Sequence, residues 1–439
     1  MAIDTALATS TDPIAATAPG APTSASDMPD LRLFVFALFF IFGGITSLND
    51  VLIPKLKDLF VLSYAEAMLV QSAFFAAYFI VSLPAAAIVR RIGYMRTAVV
   101  GLLTMTGGCL LFVPAAATGL FVTFLGALFV LATGITIVQV VANPLISLLG
   151  PPATAHSRLT FAQAFNSLGT TVFPYVGSAM ILGSLATVDA SALTGEALTA
   201  YRAAESQTVT QAYAGLAVAL LIIAGLVWTR RNRLPEAPQE RNSILRAFEL
   251  LRQPRFAFGA ACIFLYVGGE VAIGSIIVNY LERADVLGLD ELAAGQHVPF
   301  YWGGAMVGRF IGSWFLARYS PGKILAFNGG IVIALLLISG TQVGALSGWS
   351  LLAIGLFNSI MFPTIFSLAC EGLGKRAAEG SGIICVAIVG GAIVPLLTGA
   401  AADMAGLKAA LIVPAVCYAA ILSFGIFARR PHHQHSHHA

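Results

Sequence analysis

The sequence predicts an all-α membrane protein, with twelve transmembrane helices arranged as two pseudo-symmetric six-helix bundles. Three observations predict it. Only 10% of the 439 residues are charged and the mean hydropathy is +0.86, whereas soluble domains carry roughly 25% charged residues. Apolar runs of about 20 residues recur along the chain, each long enough to cross a bilayer as a helix. Membrane strands would be short and strictly alternating, and these runs are neither. Lastly, the basic residues are distributed asymmetrically between alternate loops.

The spans fall near 32–60, 65–89, 95–115, 119–149, 157–184, 208–229, 255–283, 294–317, 322–342, 347–370, 378–401 and 407–428. The longest polar connection, 230–254, separates a first bundle (31–229) from a second (255–428). With both termini cytoplasmic, the inside segments hold 18 Lys and Arg and the outside segments five, while Arg309 alone lies within a span. This is the positive-inside asymmetry. It accounts for the basic excess without nucleic acid.

The halves repeat. Gly43-Gly44 in span 1 answers Gly268-Gly269 in span 7, and Asn143-Pro144 in span 4 answers Phe362-Pro363 in span 10. Arg158 answers Arg376, and Pro174 answers Pro395. Parallel six-helix repeats around a mid-bilayer site resemble the layout of major facilitator transporters.

Residues 1–30 lack the basic start and apolar core of a secretory signal and read as a disordered cytoplasmic tail. The histidine-rich end, within 429–439, reads as a second disordered tail or a cloning remnant, with metal chelation the alternative. The five cysteines lie in or near apolar stretches without metal-site spacing. No cofactor or metal is expected.

Polar side chains inside spans are costly and usually functional. Span 1 places Asn49 and Asp50 deep in the membrane, and Pro54 with the glycine pair suggests an irregular helix there. Asp50 is a candidate proton carrier. Glu270 in span 7 is the second. Gln71, Phe75 and Tyr78 share one face of span 2. Gln139 and Asn143 do the same on span 4, and Gln163, Asn166 and Thr170 on span 5. Asn279, Trp302 and Asn358 are the candidates of the second half. Asn279 falls opposite Glu270 on a straight helix, unless Gly274-Ser275 breaks it. Amides donate and accept hydrogen bonds, which suits a neutral polyhydroxylated solute; interhelical hydrogen bonding is the structural alternative. Arg309 reads as a gate or structural partner, as do Arg91, Gly93, Arg158 and Arg376. Major facilitator proteins often carry Gly-x-x-x-Asp-Arg-x-Gly-Arg-Arg after span 2. Here Arg91 and Gly93 fit, but Ala86 replaces the first glycine and Arg90 replaces the acid.

The segments 69–86, 140–171 and 265–281 resemble the fucose–galactose–glucose:proton symporter branch of the major facilitator superfamily. The middle segment is the most specific, with Asn143-Pro144, Leu149-Gly150-Pro151, Arg158-Leu159 and Ala162-Gln163-Ala164-Phe165-Asn166-Ser167 in the family's order. The resemblance implies a twelve-helix carrier with alternating access, in the bacterial inner membrane, importing a neutral sugar with protons and acting as a monomer in lipid. In the fucose permease an acid on span 1 and an acid on span 4 serve protonation and sugar binding. Asp50 matches the first and Gln139 stands at the second, while Glu270 is an acid where the permease has an amide. That pattern is similar to the glucose/galactose subgroup. Some relatives are similar to sodium-coupled glucose carriers, so the ion is open between proton and sodium. A metabolite or drug exporter is the second expectation. An enzyme is not expected.

Overall fold

The computed structural model describes residues 29–60, 69–118, 120–181, 195–233 and 244–429. The terminal tails predicted from the sequence lie outside them except for Pro29 and Asp30, which are helical and not tail, and Arg429. The first six spans are single helices: α1 (Pro29–Phe60), α2 (Leu69–Ile92), α3 (Tyr94–Thr118), α4 (Phe121–Leu148), α5 (Ala155–Ile181) and α6 (Gly195–Thr229). The next three are also single: α7 (Pro254–Glu282), α8 (Glu291–Leu316) and α9 (Pro321–Thr341). Each of the last three predicted spans is a broken pair: α10 (Gly344–Asn358) with α11 (Met361–Ala369), α12 (Ala377–Ala387) with α13 (Gly390–Ala405), and α14 (Leu407–Ala410) with α15 (Ile412–Phe427). Among the described residues nine stretches are long and apolar enough to cross a membrane, and a shorter apolar stretch covers Leu31–Ser47.

Two of the three breaks have a sequence cause. A proline inside a helix cannot donate to the carbonyl four residues earlier. Pro363 therefore leaves the Ser359 carbonyl unclaimed where α10 gives way to α11, and Pro414 does so for Ala410 where α14 gives way to α15. Helix α6 begins at Gly195, well before the apolar run at 208. Its first turns, rich in Ala, Leu and Glu, favour helix without being apolar.

Span 1 corrects an expectation. Helix α1 runs unbroken through the glycine pair and Pro54. The glycines serve packing against α5. A Cβ on Gly43 would lie 2.3 Å from Asn166 Nδ2, and one on Gly169 would lie 2.0 Å from the Phe40 carbonyl oxygen. The second half does the same between α7 and α13: a Cβ on Gly268 would meet Val394 Cγ2 at 2.3 Å, and one on Gly390 the Phe264 oxygen at 1.9 Å. Small residues that let backbones approach are the usual adhesive between membrane helices.

A second pair of contacts repeats across the halves. Arg32 Nε donates to the Leu149 carbonyl at 2.9 Å, and Arg255 Nε donates to the Leu368 carbonyl at 3.0 Å. Each arginine opens the first helix of its half and ties it to the end of that half's fourth span. Arg158 works alongside. Its guanidinium donates to the carbonyls of Ile146, Ser147 and Pro151 at 3.3, 2.8 and 2.8 Å, closing the carbonyl end of α4. Gly93, at φ 87°, makes the tight turn between α2 and α3.

At the opposite end, Asp285 bonds Arg283 at 2.9 Å and Lys408 at 2.9 Å, which staples the loop after α7 to α14. These hydrogen bonds, Arg283 first and Lys408 second, lower the Asp285 carboxyl to about 2.

The halves meet mainly along two seams, α2 against α12 and α5 against α8, with α11 also packing on α5 and α12 on α4. At the arginine-rich end, which carries Arg32, Arg90, Arg158, Arg255 and Arg376, these seams are closed. Arg90 pairs with Glu379 at 2.6 Å. Ser381 Oγ donates to the Val140 carbonyl at 2.9 Å, the oxygen that Pro144 leaves unclaimed in α4. His156 Nδ1 and Ser367 Oγ are 2.5 Å apart, and Ser157 Oγ donates to the Ser313 carbonyl at 2.7 Å.

Candidate functional site: a cavity between the halves

A cavity of about 480 Å³ lies between the two halves, within the size range of small-molecule sites. Its first-half wall carries Phe42 and Thr46 of α1, Phe74, Phe75 and Tyr78 of α2, Gln139 of α4, and Gln163, Asn166 and Thr170 of α5. Its second-half wall carries Glu270 and Gly274 of α7, Trp302 and Arg309 of α8, and Phe362 of α11. Amides thus cluster on one wall, while the described charges and the one indole sit on the other.

The amides are oriented by their neighbours. Tyr78 Oη donates to Gln139 Oε1 at 2.7 Å. That leaves the Gln139 Nε2 hydrogens to point into the cavity. Asn166 Nδ2 donates to the Phe39 carbonyl at 3.3 Å, which leaves its Oδ1 as an acceptor. The cavity therefore offers both donors and acceptors beside aromatic faces. Trp302 stands edge-on to Tyr301, with ring centroids 5.0 Å apart. Gly274 gives it room: a Cβ there would lie 3.0 Å from Trp302 Cζ2.

Glu270 is held by a tyrosine network. Tyr266 Oη lies 2.7 Å from Glu270 Oε1 and 3.0 Å from the Asn358 carbonyl oxygen. Asn358 Nδ2 donates to Tyr301 Oη at 2.9 Å, and Tyr301 Oη lies 3.3 Å from the Glu270 carbonyl oxygen. Arg309 Nε donates to the Ser359 carbonyl at 3.1 Å, and its Nη1 reaches Ser167 Oγ of α5. The carbonyl freed by Pro363 is thus the anchor of Arg309.

Of the residues expected to bind substrate, Tyr78, Gln139, Gln163, Asn166 and Trp302 line this cavity. Three do not. Asn279 is exposed and off the cavity, because α7 continues unbroken past Gly274-Ser275 and keeps it opposite Glu270. Asn358 is fully buried and belongs to the network behind Glu270. Asn143 is also fully buried, accepting from Gln163 Nε2 at 3.4 Å behind the wall. The side chains of Asn49, Asp50 and Gln71 lie outside the described residues. Arg309 lines the cavity besides bridging helices. Arg376 bonds Glu379 at 2.8 Å and the Arg246 carbonyl of the linker at 2.9 Å. Arg91 is exposed at the arginine-rich end.

Sequence reasoning missed Phe42, Thr46, Phe74 and Phe362 as lining residues, and Tyr266, Tyr301 and Tyr418 around Glu270. A tyrosine in an apolar run has the pattern of ordinary core. The available signal was the spacing of Tyr266 four residues before Glu270, which places both on one helical face.

A helical membrane fold in two repeated halves, with a polar cavity between them, defines a carrier rather than an enzyme. The chain belongs to the Major Facilitator Superfamily, whose profile matches residues 34–388. It is 49% identical over 395 residues to the glucose/galactose transporter of Brucella abortus biovar 1, covering 90% of this chain and 92% of that protein. It is 31% identical over 400 residues to the L-fucose-proton symporter of Escherichia coli K12, covering 89% and 91% respectively. The crystal structure of the Major Facilitator Superfamily transporter FucP in the outward conformation superposes with a TM-score of 0.83 at 30% identity, covering 91% of this chain and 98% of that one.

Proposed function

We propose that this chain imports a neutral hexose of the glucose/galactose type, or N-acetylglucosamine, across the bacterial inner membrane by proton symport. The observation that carries this reading is the composition of the cavity. Gln139, Gln163 and Asn166 supply neutral donors and acceptors on one wall, Phe74, Phe75 and Trp302 supply flat apolar faces, and Glu270 supplies a titratable carboxyl. A hexose has this duality, with hydroxyls around its rim and C–H groups on its ring face. The similarity to a glucose/galactose transporter and an L-fucose-proton symporter supports the same substrate class.

In this reading Glu270 and Asp50 carry the coupling proton, and the two halves rock around the cavity. Both termini are cytoplasmic, so the closed arginine-rich end faces the cytoplasm and the cavity is poised to load from outside. The likeness to FucP in its outward conformation fits that orientation.

The test is uphill uptake of labelled glucose, galactose and N-acetylglucosamine by proteoliposomes. An inward-directed pH gradient is expected to drive accumulation of at least one of them, and a sodium gradient at constant pH is not. Accumulation driven by sodium alone would sink proton coupling, and accumulation of none would sink the substrate class.

A further inference from the structure

The cavity holds two opposite charges that are not paired with each other. Glu270 bonds Tyr266, while Arg309 bonds the Ser359 carbonyl and, across the seam, Ser167. Both line the same cavity, and Arg309 is the cationic side chain among its described lining residues. The other described titratable groups facing Glu270 are Tyr266 on its own helix, Tyr301 on α8 and Tyr418 on α15. Arg309 thus shares this cavity with two candidate partners. One is the neutral hydroxyl of Ser167, which belongs to the other half. The other is the carboxyl of Glu270, which belongs to its own half.

We infer that Arg309 couples the charge of Glu270 to the seam between the halves: it holds Ser167 while Glu270 is neutral, and turns to Glu270, releasing Ser167, when that carboxyl is ionised. The physical reason is the ranking of the two partners. Away from bulk water an ion pair outweighs a hydrogen bond to a neutral hydroxyl. Once Glu270 takes up a proton that advantage disappears, and the fixed anchor at the Ser359 carbonyl leaves Ser167 within reach. The bond joins α8 to α5, a seam that must open when the arginine-rich end opens.

The consequence for transport is specific. A carrier holding a proton but no sugar is locked by Arg309–Ser167. A sugar in the cavity offers Arg309 other hydroxyl acceptors and lifts the lock. A carrier holding neither is unlocked, because Glu270 is ionised. The two unlocked species, empty and fully loaded, are those a symporter must interconvert; the locked one would otherwise leak protons. This inference rests on the proton-symport reading above.

Ser167→Ala in proteoliposomes tests it, with proton entry under an imposed pH gradient followed by an enclosed pH dye in the absence of sugar. Removal of a hydrogen bond to a charged group from the lock raises the sugar-free leak roughly ten-fold or more, and Ser167→Thr, which restores the hydroxyl, brings it back near the wild-type rate. A Ser167→Ala leak equal to wild type overturns the inference. A second measurement needs no sugar and no coupling assay. Spin labels on the two halves at the arginine-rich end report its width at pH 5 and pH 8. The wild type widens at pH 8, Glu270→Gln stays narrow at both, and Ser167→Ala is wide at both. Widening of Glu270→Gln to the wild-type extent would assign the pH response to His156 or Glu379 on the same seam and overturn the inference. If sugar drives no proton entry in the wild type, symport falls, while the label distances still decide whether the lock exists.

Discussion

Arg90 of α2 and Glu379 of α12 meet at 2.6 Å across the seam, with 8% and 5% of their side chains exposed. One turn along the same contact, a Cβ on Gly382 would lie 2.8 Å from Ala86 Cβ. The expected loop motif would place a glycine at 86 and an acid at 90. Here the small residue and the acid both stand on α12, and the complementary Ala86 and Arg90 stand on α2. Glu379→Gln leaves Arg90 buried against a neutral amide. Losing a hydrogen bond to a charged group costs about 1.5–3 kcal/mol, so the closed arginine-rich end is expected to lose roughly ten-fold or more in population. Cross-linking of paired cysteines placed across that end checks this, and an unchanged yield would refute it.

Arg158 closes the carbonyl end of α4 with three backbone bonds and a fourth to Thr154 Oγ1 at 2.5 Å. Lysine keeps the charge but lacks the planar fork that reaches several acceptors at once. Arg158→Lys should therefore lower stability by about 1.5–3 kcal/mol. The measurement is thermal unfolding of the purified protein in detergent. An unchanged midpoint would mean that the carbonyls find equivalent donors in water.

Asp285 gives a pH dependence. Its carboxyl is lowered to about 2 by Arg283 and Lys408, below the ordinary aspartate value near 3.9. A depressed folded-state value means that its contribution is complete above pH ~4 and is lost as pH falls toward 2. Asp285→Asn should thus differ from wild type in thermal midpoint at pH 7 and converge with it near pH 2. The group is well exposed, so the difference at pH 7 is small and shrinks in high salt. A constant difference at all pH values would mean that the staple acts through shape rather than charge.

The helical membrane fold and its two-part repeat were legible because apolar runs and basic loops are one-dimensional signals. Glu270, Gln139, Gln163 and Asn166 were legible for the same reason, as polar residues in apolar runs. What was not legible depended on three-dimensional partners. Asn143 and Asn358 look identical to cavity amides in sequence, yet each satisfies a neighbour behind the wall. The repeat of Pro144 and Pro363 was visible, but not its use. Each proline frees a carbonyl, and Ser381 and Arg309 arrive from distant helices to claim the two. The breaks at Pro363 and Pro414 were hidden because a proline shows where a helix is weak and not whether it breaks: α2 passes through Pro84 unbroken.

Tyr78 and Gln139 supply the remaining prediction. The 2.7 Å bond from Tyr78 Oη fixes which end of the Gln139 amide faces the cavity. Without it the amide can rotate and present its oxygen or its nitrogen. Tyr78→Phe removes only the hydroxyl, and the ring keeps its tilted contact with Phe74 at 5.5 Å between centroids. The fold should survive, while the bound sugar loses one pre-oriented donor. A hydrogen bond of ordinary strength is worth about 1 kcal/mol, so KM for the transported sugar should rise roughly five-fold with the maximal rate little changed. Gln139→Leu removes the donor altogether and should raise KM at least as much. Concentration-dependent uptake in proteoliposomes separates the two parameters. A fall in maximal rate at constant KM in both variants would place this pair in the conformational change and not in sugar binding.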